Sequence, residues 1–249
     1  MYALPEQTTA GALADLAAAI ALGPAHLSHY QLTLEPGTAF HHRPPPLPDD
    51  DQAFEMQQAC QQMLAAAGYA QYEVSAYARP GRQCRHNLNY WRFGDYLGIG
   101  AGAHGKLTVD DRIIRTEKPR MPREYLRRAV EDAGSKGTRR SVPEAELPFE
   151  YMLNALRLHE GFTLADFEHT TRLAAHTIEP RLAALATRAL IAETDGRWRP
   201  TELGFRFLND LQAAFLPADE GAVASGELYT VPSRLGPQRD FQHIVTDLP

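Results

Sequence analysis

Four residues in one short stretch have side chains suited to holding a planar ligand that contains a metal. They are His86, Asn87, Tyr90 and Trp91, spaced as H-N-x-x-Y-W. Imidazole is a common axial ligand of haem iron, asparagine can orient a bound group, and tyrosine and tryptophan rings can flank an apolar plane. On this chemistry alone, a core segment with a hydrogen-bonded histidine and two packed aromatic rings is the simpler explanation.

A glycine-rich stretch follows closely and contains a second candidate histidine, His104. Residues 100–105 match G-x-G-x-x-G, which binds dinucleotide phosphates only when a strand precedes it and a helix follows it. Residues 106–109 look like a strand, so we reject a dinucleotide site. The glycines fit either a close backbone approach to a ligand or strand, or a packed turn. The His104 ring either binds a ligand or hydrogen-bonds the backbone of that turn.

The composition argues against several classes of protein. The chain has 249 residues, 44% hydrophobic and 22% charged, which is enough to fold around a core. Its net charge of −6 argues against a globally basic nucleic-acid or membrane-surface binder. Cys60 and Cys84 are the only cysteines, too few for a disulfide scaffold, a four-sulfur zinc site or a complete iron–sulfur cluster. We expect no metal site and a cytoplasmic location.

The residues before these motifs predict alternating strands and helices. The predicted order is a strand end, a helix, a strand, a helix and a strand, at residues 1–5, 8–22, 26–34, 49–67 and 72–77. A strand, a helix and a further strand in this order are typical of a parallel sheet or barrel. Cys60 lies on the apolar face of the second helix, where we expect a buried, unreactive thiol.

A hairpin and a basic stretch are predicted after the glycines. The hairpin covers residues 106–115 and turns at Asp110-Asp111. Residues 112–140 carry ten Lys or Arg against four Asp or Glu. Such a stretch is most often a solvated face, although it could also meet carboxylates or phosphates.

Residues 149–216 predict a separate helical unit. Three helices, a hairpin turning at Asp195-Gly196 and a last helix follow in the order of a winged helix. Thr163 is expected to cap the second helix, and Thr201 is expected to cap a last helix that continues to Leu211. Seven arginines against nine acidic residues do not give this unit the charge of a DNA-binding domain.

Three stretches together resemble the HemW family, haem chaperones of the radical-SAM superfamily. They are HLSHYQLTLEPGTAF, YEVSAYARPG and CRHNLNYWRFGDYLGIGAGAHGK, and the resemblance extends from Met1 to about Leu216. It implies an α/β fold: the C-terminal part of a (β/α)6 radical-SAM partial barrel, followed by a small winged-helix-like helical domain. The implied divisions are a barrel remnant, a basic connector, a HemN-type C-terminal domain and a loose tail, at residues 1–115, 116–148, 149–216 and 217–249.

The resemblance also implies roles for individual residues. It implies a haem site at His86, Asn87, Tyr90 and Trp91, with Thr33 and His104 near S-adenosylmethionine. It assigns no catalytic residue. Family members carry a [4Fe-4S] cluster on a C-x-x-x-C-x-x-C motif that this sequence lacks. We therefore expect an N-terminally truncated HemW that holds neither the cluster nor S-adenosylmethionine by itself and is not catalytic alone.

The leading hypothesis is a cytoplasmic haem chaperone that binds haem and delivers it to respiratory haem proteins. We expect no nucleic-acid partner, and we expect transient contact with membrane proteins and self-association. One alternative is an oxygen-independent coproporphyrinogen III dehydrogenase, a radical-SAM enzyme, against which the H-N-x-x-Y-W motif argues. The other alternative is a non-catalytic winged-helix interaction module.

Overall fold

The computed structural model of the chain describes residues 1–131 and 137–217. The described part of the chain divides into two compact units, residues 1–84 and, in the second, residues 85–131 and 137–217. The H-N-x-x-Y-W and glycine-rich stretches therefore belong to the second unit, although the sequence had grouped them with the barrel remnant. The four-part domain division stays a prediction. All of the loose tail expected over 217–249, except residue 217 itself, lies outside the described residues.

The described part of the first unit contains both helices and strands. Its elements are α1 (Thr9–Ala21), β1 (His26–Ser28), α2 (Ala39–His42), α3 (Asp50–Ala66), β2 (Ala70–Glu73) and β3 (Ala76–Ala78). β3 lies between β1 and β2 and is antiparallel to both. Tyr2 pairs in parallel with Gln31, and the Tyr2 N–H donates to the Tyr30 carbonyl at 3.1 Å. The parallel pairing expected on either side of the first helix is confirmed.

The core of the first unit lies between α1 and α3. Both helices begin at a side-chain cap, because Thr8 accepts from the Gly11 N–H and Asp49 accepts from the Gln52 N–H. Cys60 is fully buried in this core, and burial raises the pKa of its thiol. The prediction of a buried, unreactive cysteine is confirmed in its burial.

Two strand predictions are wrong in detail. The strand expected over 26–34 pairs as a strand only to Ser28, because the chain then leaves β3 and continues beside Tyr2. The single strand expected over 72–77 is instead the hairpin of β2 and β3. Its turn is held locally, since the Ser75 hydroxyl donates to Glu73 at 3.0 Å.

His29 is a buried aromatic contact of the first unit, although the sequence suggested no role for it. Its ring stacks on Tyr2 with centroids 5.1 Å apart, and burial lowers the pKa of its imidazole to about 4. In the unfolded chain a histidine pKa is about 6.5. Between these values the unfolded chain binds a proton that the folded chain does not, so stability falls as the pH drops through this range.

We therefore expect His29→Phe to reduce the loss of stability in acid. The variant keeps an aromatic ring against Tyr2 but removes the group that binds the proton. Urea unfolding followed by circular dichroism, at neutral pH and at about pH 5, measures the difference. An equal loss of stability in the wild type and the variant would exclude His29 as the cause.

The second unit contains a three-stranded sheet and a set of helices with a small hairpin. Its elements are α4 (Arg85–Trp91), β4 (His104–Val109), β5 (Arg112–Glu117), α5 (Pro122–Glu131), β6 (Thr138–Ser141), α6 (Leu147–Ala155), α7 (Leu164–Thr171), α8 (Glu179–Thr187), β7 (Ile191–Thr194), β8 (Arg197–Pro200), α9 (Glu202–Arg206) and α10 (Leu208–Ala213). The sheet order is β4-β5-β6, and β7 pairs with β8. Asp110 and Asp111 both have positive φ in the β4–β5 turn, which confirms that predicted hairpin.

Most features predicted for the helical unit are present. Thr163 and Asp166 form a reciprocal capping box at the start of α7, and β7 and β8 form the predicted small hairpin. Thr201 caps a helix as expected. The prediction that this helix continues to Leu211 is wrong, because Phe207 leaves the helical conformation and separates α9 from α10.

Candidate functional site

Helix α4 presents His86 and Tyr90 side by side. The two residues are four positions apart, which places them on one face of the helix. Their ring centroids lie 4.7 Å apart at an interplanar angle of 88°. His86 is exposed and Tyr90 is partly buried. The imidazole is therefore open to an approaching ligand and is supported on one side by an aromatic ring.

The Tyr96 ring packs against the Tyr90 ring. The two rings have centroids 4.2 Å apart. The backbone of Tyr96 is fixed by a bridge to β4, in which its N–H donates to the Lys106 carbonyl at 2.8 Å and its carbonyl accepts from the Lys106 N–H at 3.0 Å. A continuous aromatic contact thus runs from the exposed histidine to the edge of the sheet.

Lys106 and Asp95 form an ion pair between β4 and the segment that connects α4 to the sheet. Lys106 is only 2% exposed, and its Nζ donates to the Phe93 carbonyl at 2.8 Å and to Asp95 at 2.9 Å. Burial lowers the pKa of the Lys106 ammonium, while Asp95 acts in the opposite direction. The sequence analysis missed this pair, since Lys106 stands in a strand where a lysine usually faces solvent.

Tyr96 is held at its hydroxyl by a second, deeper pair. The Arg115 Nη1 donates to that hydroxyl at 3.0 Å, and the Arg115 Nε donates to Glu150 at 3.1 Å. The Glu150 side chain is 5% exposed and the Arg115 side chain 25%. This network links β5 to α6. The sequence analysis also missed it, because no local pattern relates residues 19 and 35 positions apart.

Two glycines allow the chain to cross β4 closely. A Cβ on Gly98 would overlap the carbonyl of His104, and a Cβ on Gly105 would lie 2.5 Å from the Thr116 hydroxyl and 3.0 Å from the Gly98 nitrogen. Of the two explanations left open by the sequence, a close approach to a neighbouring strand is the one found at these positions. The glycine-rich stretch is followed by strand β4 and not by a helix, which agrees with the rejection of a dinucleotide site.

Gly98→Ala is expected to destabilise the second unit by about 2–3 kcal/mol, because the added methyl group cannot be accommodated without moving β4. Thermal unfolding followed by circular dichroism measures the effect. Ala101→Ser, at an exposed position of the same loop, is the matched control and should leave the transition unchanged. A transition unchanged in Gly98→Ala as well would contradict the crowding that we describe.

Trp91 makes its contacts on another side of α4. The Arg157 guanidinium lies 4.3 Å from the centroid of its ring, and Trp91 lines a cleft of about 400 Å³ together with Tyr151, Phe162 and Arg197. Its indole Nε1 is buried and has no hydrogen-bond partner among the described residues. The structure therefore brings His86 and Tyr90 together, and the Tyr90 and Trp91 rings have centroids 6.5 Å apart. Trp91 has contacts of its own besides, with Arg157 and with the cleft.

The remaining predicted site residues belong to different elements of the two units. Asn87 is partly buried within α4. Thr33 lies in the first unit, where its hydroxyl donates to Glu35 at 2.8 Å. His104 is exposed in the second unit as the first residue of β4, and not within the glycine-rich turn as expected. The expectation that Thr33 and His104 lie near S-adenosylmethionine stays a prediction.

The cysteines of this chain do not fit an iron–sulfur cluster. Cys60 is enclosed in the core of the first unit, and Cys84 is the only other thiol. Cysteine-held clusters take several thiolates around one centre. In the described part of the chain, no three His, Cys, Asp or Glu side chains are grouped so that they could hold a metal ion.

Carboxylates of the same chain meet much of the basic stretch. Arg127 pairs with Glu124 at 2.7 Å and Arg140 pairs with Glu146 at 2.6 Å. These exposed pairs contribute little to stability, but they offset part of the positive charge.

Across residues 1–131 and 137–217, no helix is long and apolar enough to cross a bilayer.

Curated relatives match the chain over most of its length. It is 48% identical over 218 residues to the heme chaperone HemW of Escherichia coli, and 46% identical over 217 residues to that of Haemophilus influenzae. These alignments cover 87% of this chain. The chain belongs to the HemW family. It spans about half the length of these HemW relatives, 56% and 55% respectively.

Two further comparisons agree with membership of the HemW family. Residues 142–207 match the HemN C-terminal domain. This range includes most of the helical unit predicted over residues 149–216. The solved structure of coproporphyrinogen III oxidase (HemN) from Escherichia coli, described as a radical SAM enzyme, has a TM-score of 0.65 with 17% identity. It covers 86% of this chain, which covers 53% of HemN. At this identity the likeness shows the fold, and it confirms the expected α/β class.

Proposed function

We propose that this HemW-family chain binds haem at the His86–Tyr90 face of α4 and passes it to haem proteins. The observation that carries the proposal is the exposed His86 imidazole standing on the Tyr90 ring, within the motif that supports membership of the family. In this role haem is cargo and not a resident cofactor. An unprotonated imidazole nitrogen is the group that ligates its iron.

An exposed iron-binding side chain suits the delivery of haem better than its storage. His86 lies on a seven-residue helix at the surface, so haem bound there would keep an open face that an acceptor protein can approach. A resident cofactor, by contrast, is usually enclosed in a concave pocket. We propose respiratory haem proteins as acceptors, the cytoplasm as the location, no nucleic-acid partner, and transient contact with membrane proteins and self-association.

The cluster and S-adenosylmethionine are expected in the longer family members and have no step in this proposal. When bound, they supply radical chemistry. The proposed haem site needs neither of them, since His86 and Tyr90 both lie on α4 and the residues that support them belong to the second unit. Haem binding is therefore proposed for this chain as it stands.

Titration of ferric haem into the full chain, followed by absorbance in the Soret region, tests the proposal. We expect a shifted Soret band that saturates at one haem per chain. Iron-free protoporphyrin is the matched control and should bind much more weakly, because it offers no iron to an imidazole. Equal binding of both porphyrins, or a signal that never saturates, would contradict ligation by the protein.

Delivery is tested with the same complex. Mixing the haem-loaded chain with an excess of apomyoglobin should transfer the haem, as seen by the absorbance of myoglobin. A complex that retains its haem against this acceptor would contradict a delivery role while leaving binding intact.

A further inference from the structure

The orientation of His86 depends on contacts that continue beyond the motif. His86 touches Tyr90, Tyr90 touches Tyr96, and the Tyr96 hydroxyl accepts from Arg115. Glu150 holds the other edge of the Arg115 guanidinium. These successive contacts link the His86 imidazole to the buried Glu150 carboxylate on α6.

Tyr96 is the rigid member of this series. Its backbone is fixed to β4 on both its N–H and its carbonyl, and its hydroxyl is fixed by Arg115. Burial raises the pKa of that hydroxyl, and Arg115 opposes the rise. A side chain held at both ends cannot change rotamer cheaply, whereas Tyr90 lies on a short helix and depends on its neighbours for its position.

Arg115 itself is held tightly enough to act as an anchor. Its guanidinium pairs with a carboxylate that is almost fully buried, and it lies 6.0 Å from the centroid of the Phe93 ring. An arginine with a planar charged partner on one edge presents its remaining N–H groups in fixed directions. The Tyr96 hydroxyl receives one of these.

We propose that Tyr96 is a positioning residue for haem binding, which holds Tyr90 against His86 so that the imidazole is oriented before haem arrives. The inference rests on the proposed function. Groups that orient a metal ligand, without touching the metal, typically change affinity by about 10-fold to 100-fold when they are replaced. Nothing in the H-N-x-x-Y-W motif itself points to Tyr96, which lies five residues after its last member.

The first test uses the chain without haem. Tyr96→Phe keeps the ring but loses the hydroxyl that Arg115 holds. Nuclear magnetic resonance of the His86 ring protons reports the Tyr90 contact directly, because a ring facing the imidazole shifts those resonances. We expect the His86 signals to move toward the values of an exposed histidine. Unchanged His86 signals would overturn the proposal whatever the outcome with haem.

The second test is the haem titration of the same variant. We expect Tyr96→Phe to weaken haem binding by about 10-fold, and Tyr96→Leu, which also loses the ring, to weaken it further. Tyr125→Phe is the matched control, since it also removes a tyrosine hydroxyl that accepts a hydrogen bond, from the Gly100 N–H at 3.3 Å. It should bind haem as the wild type does.

The outcomes separate the two proposals. Wild-type haem affinity in Tyr96→Phe would overturn the positioning role and leave haem binding by His86 standing. Equal losses in Tyr96→Phe and Tyr125→Phe would also overturn it, because they would indicate a general loss of structure. Failure of the wild type to bind haem, or wild-type binding in His86→Ala, would instead overturn the proposed function.

Discussion

Replacing Glu150 by alanine is expected to destabilise the second unit by about 3 kcal/mol. The carboxylate is 5% exposed and accepts from Arg115, with Arg140 3.7 Å away. Its removal leaves the mostly buried Arg115 cation without its acidic partner, which is the costly way to break a buried pair. The link between β5 and α6 would be lost as well. Urea unfolding monitored by circular dichroism gives the change in free energy.

Glu124→Ala is the matched control for this prediction. Glu124 also pairs with two arginines, Arg127 and Arg128, but on the exposed surface of α5. Those arginines lower the pKa of the Glu124 carboxyl to about 2 by hydrogen bonding, yet solvent screens such pairs and their net contribution is small. Little change is expected. Equal destabilisation by the two substitutions would show that the burial of Glu150 is not the reason why its pair with Arg115 stabilises the fold.

Replacing His86 by alanine is expected to weaken haem binding by about 100-fold, or about 2.7 kcal/mol. The substitution removes the only side chain of the proposed site that offers iron an imidazole, and it leaves the Tyr90–Tyr96 contact in place. The residue is exposed, so the fold should be unaffected. A Soret titration of both proteins, with thermal unfolding as a check on folding, measures the difference.

His176→Ala is the control for that substitution. His176 is another exposed histidine of the second unit, and it lies outside the motif. Its replacement should leave haem affinity unchanged. Added free imidazole should restore a wild-type-like Soret band to His86→Ala, because it supplies the missing nitrogen. Similar losses in both variants would indicate non-specific binding by surface histidines.

Local chemistry could be predicted from the sequence wherever neighbouring residues decide it. Thr163 with Asp166 makes a capping box, and Asp110-Asp111 makes a tight hairpin turn, since each depends on residues a few positions apart. Cys60 could be placed in the core from helical spacing alone. The helix that carries the motif was not predicted, and its formation is what places the histidine and tyrosine on one face.

The long-range part of the site could not be predicted from one sequence. Arg115 and Glu150 are read locally as a surface cation in a basic stretch and as a helical acid, and only tertiary packing buries them against Tyr96. Trp91 belongs to the motif by sequence but packs on Arg157. The reversal between β2 and β3 was missed because hydrogen bonds of side chains set that turn without glycine or proline.

In the proposed function, the imidazole of His86 ligates the iron of bound haem. Pulsed electron paramagnetic resonance of the ferric haem complex, prepared with isotopically labelled histidine, tests it most directly. We predict a coupling between the iron and a histidine nitrogen in the wild type and in His176→Ala, and none in His86→Ala. A coupling that persists in His86→Ala, or that is absent from the wild-type complex, would contradict the claim.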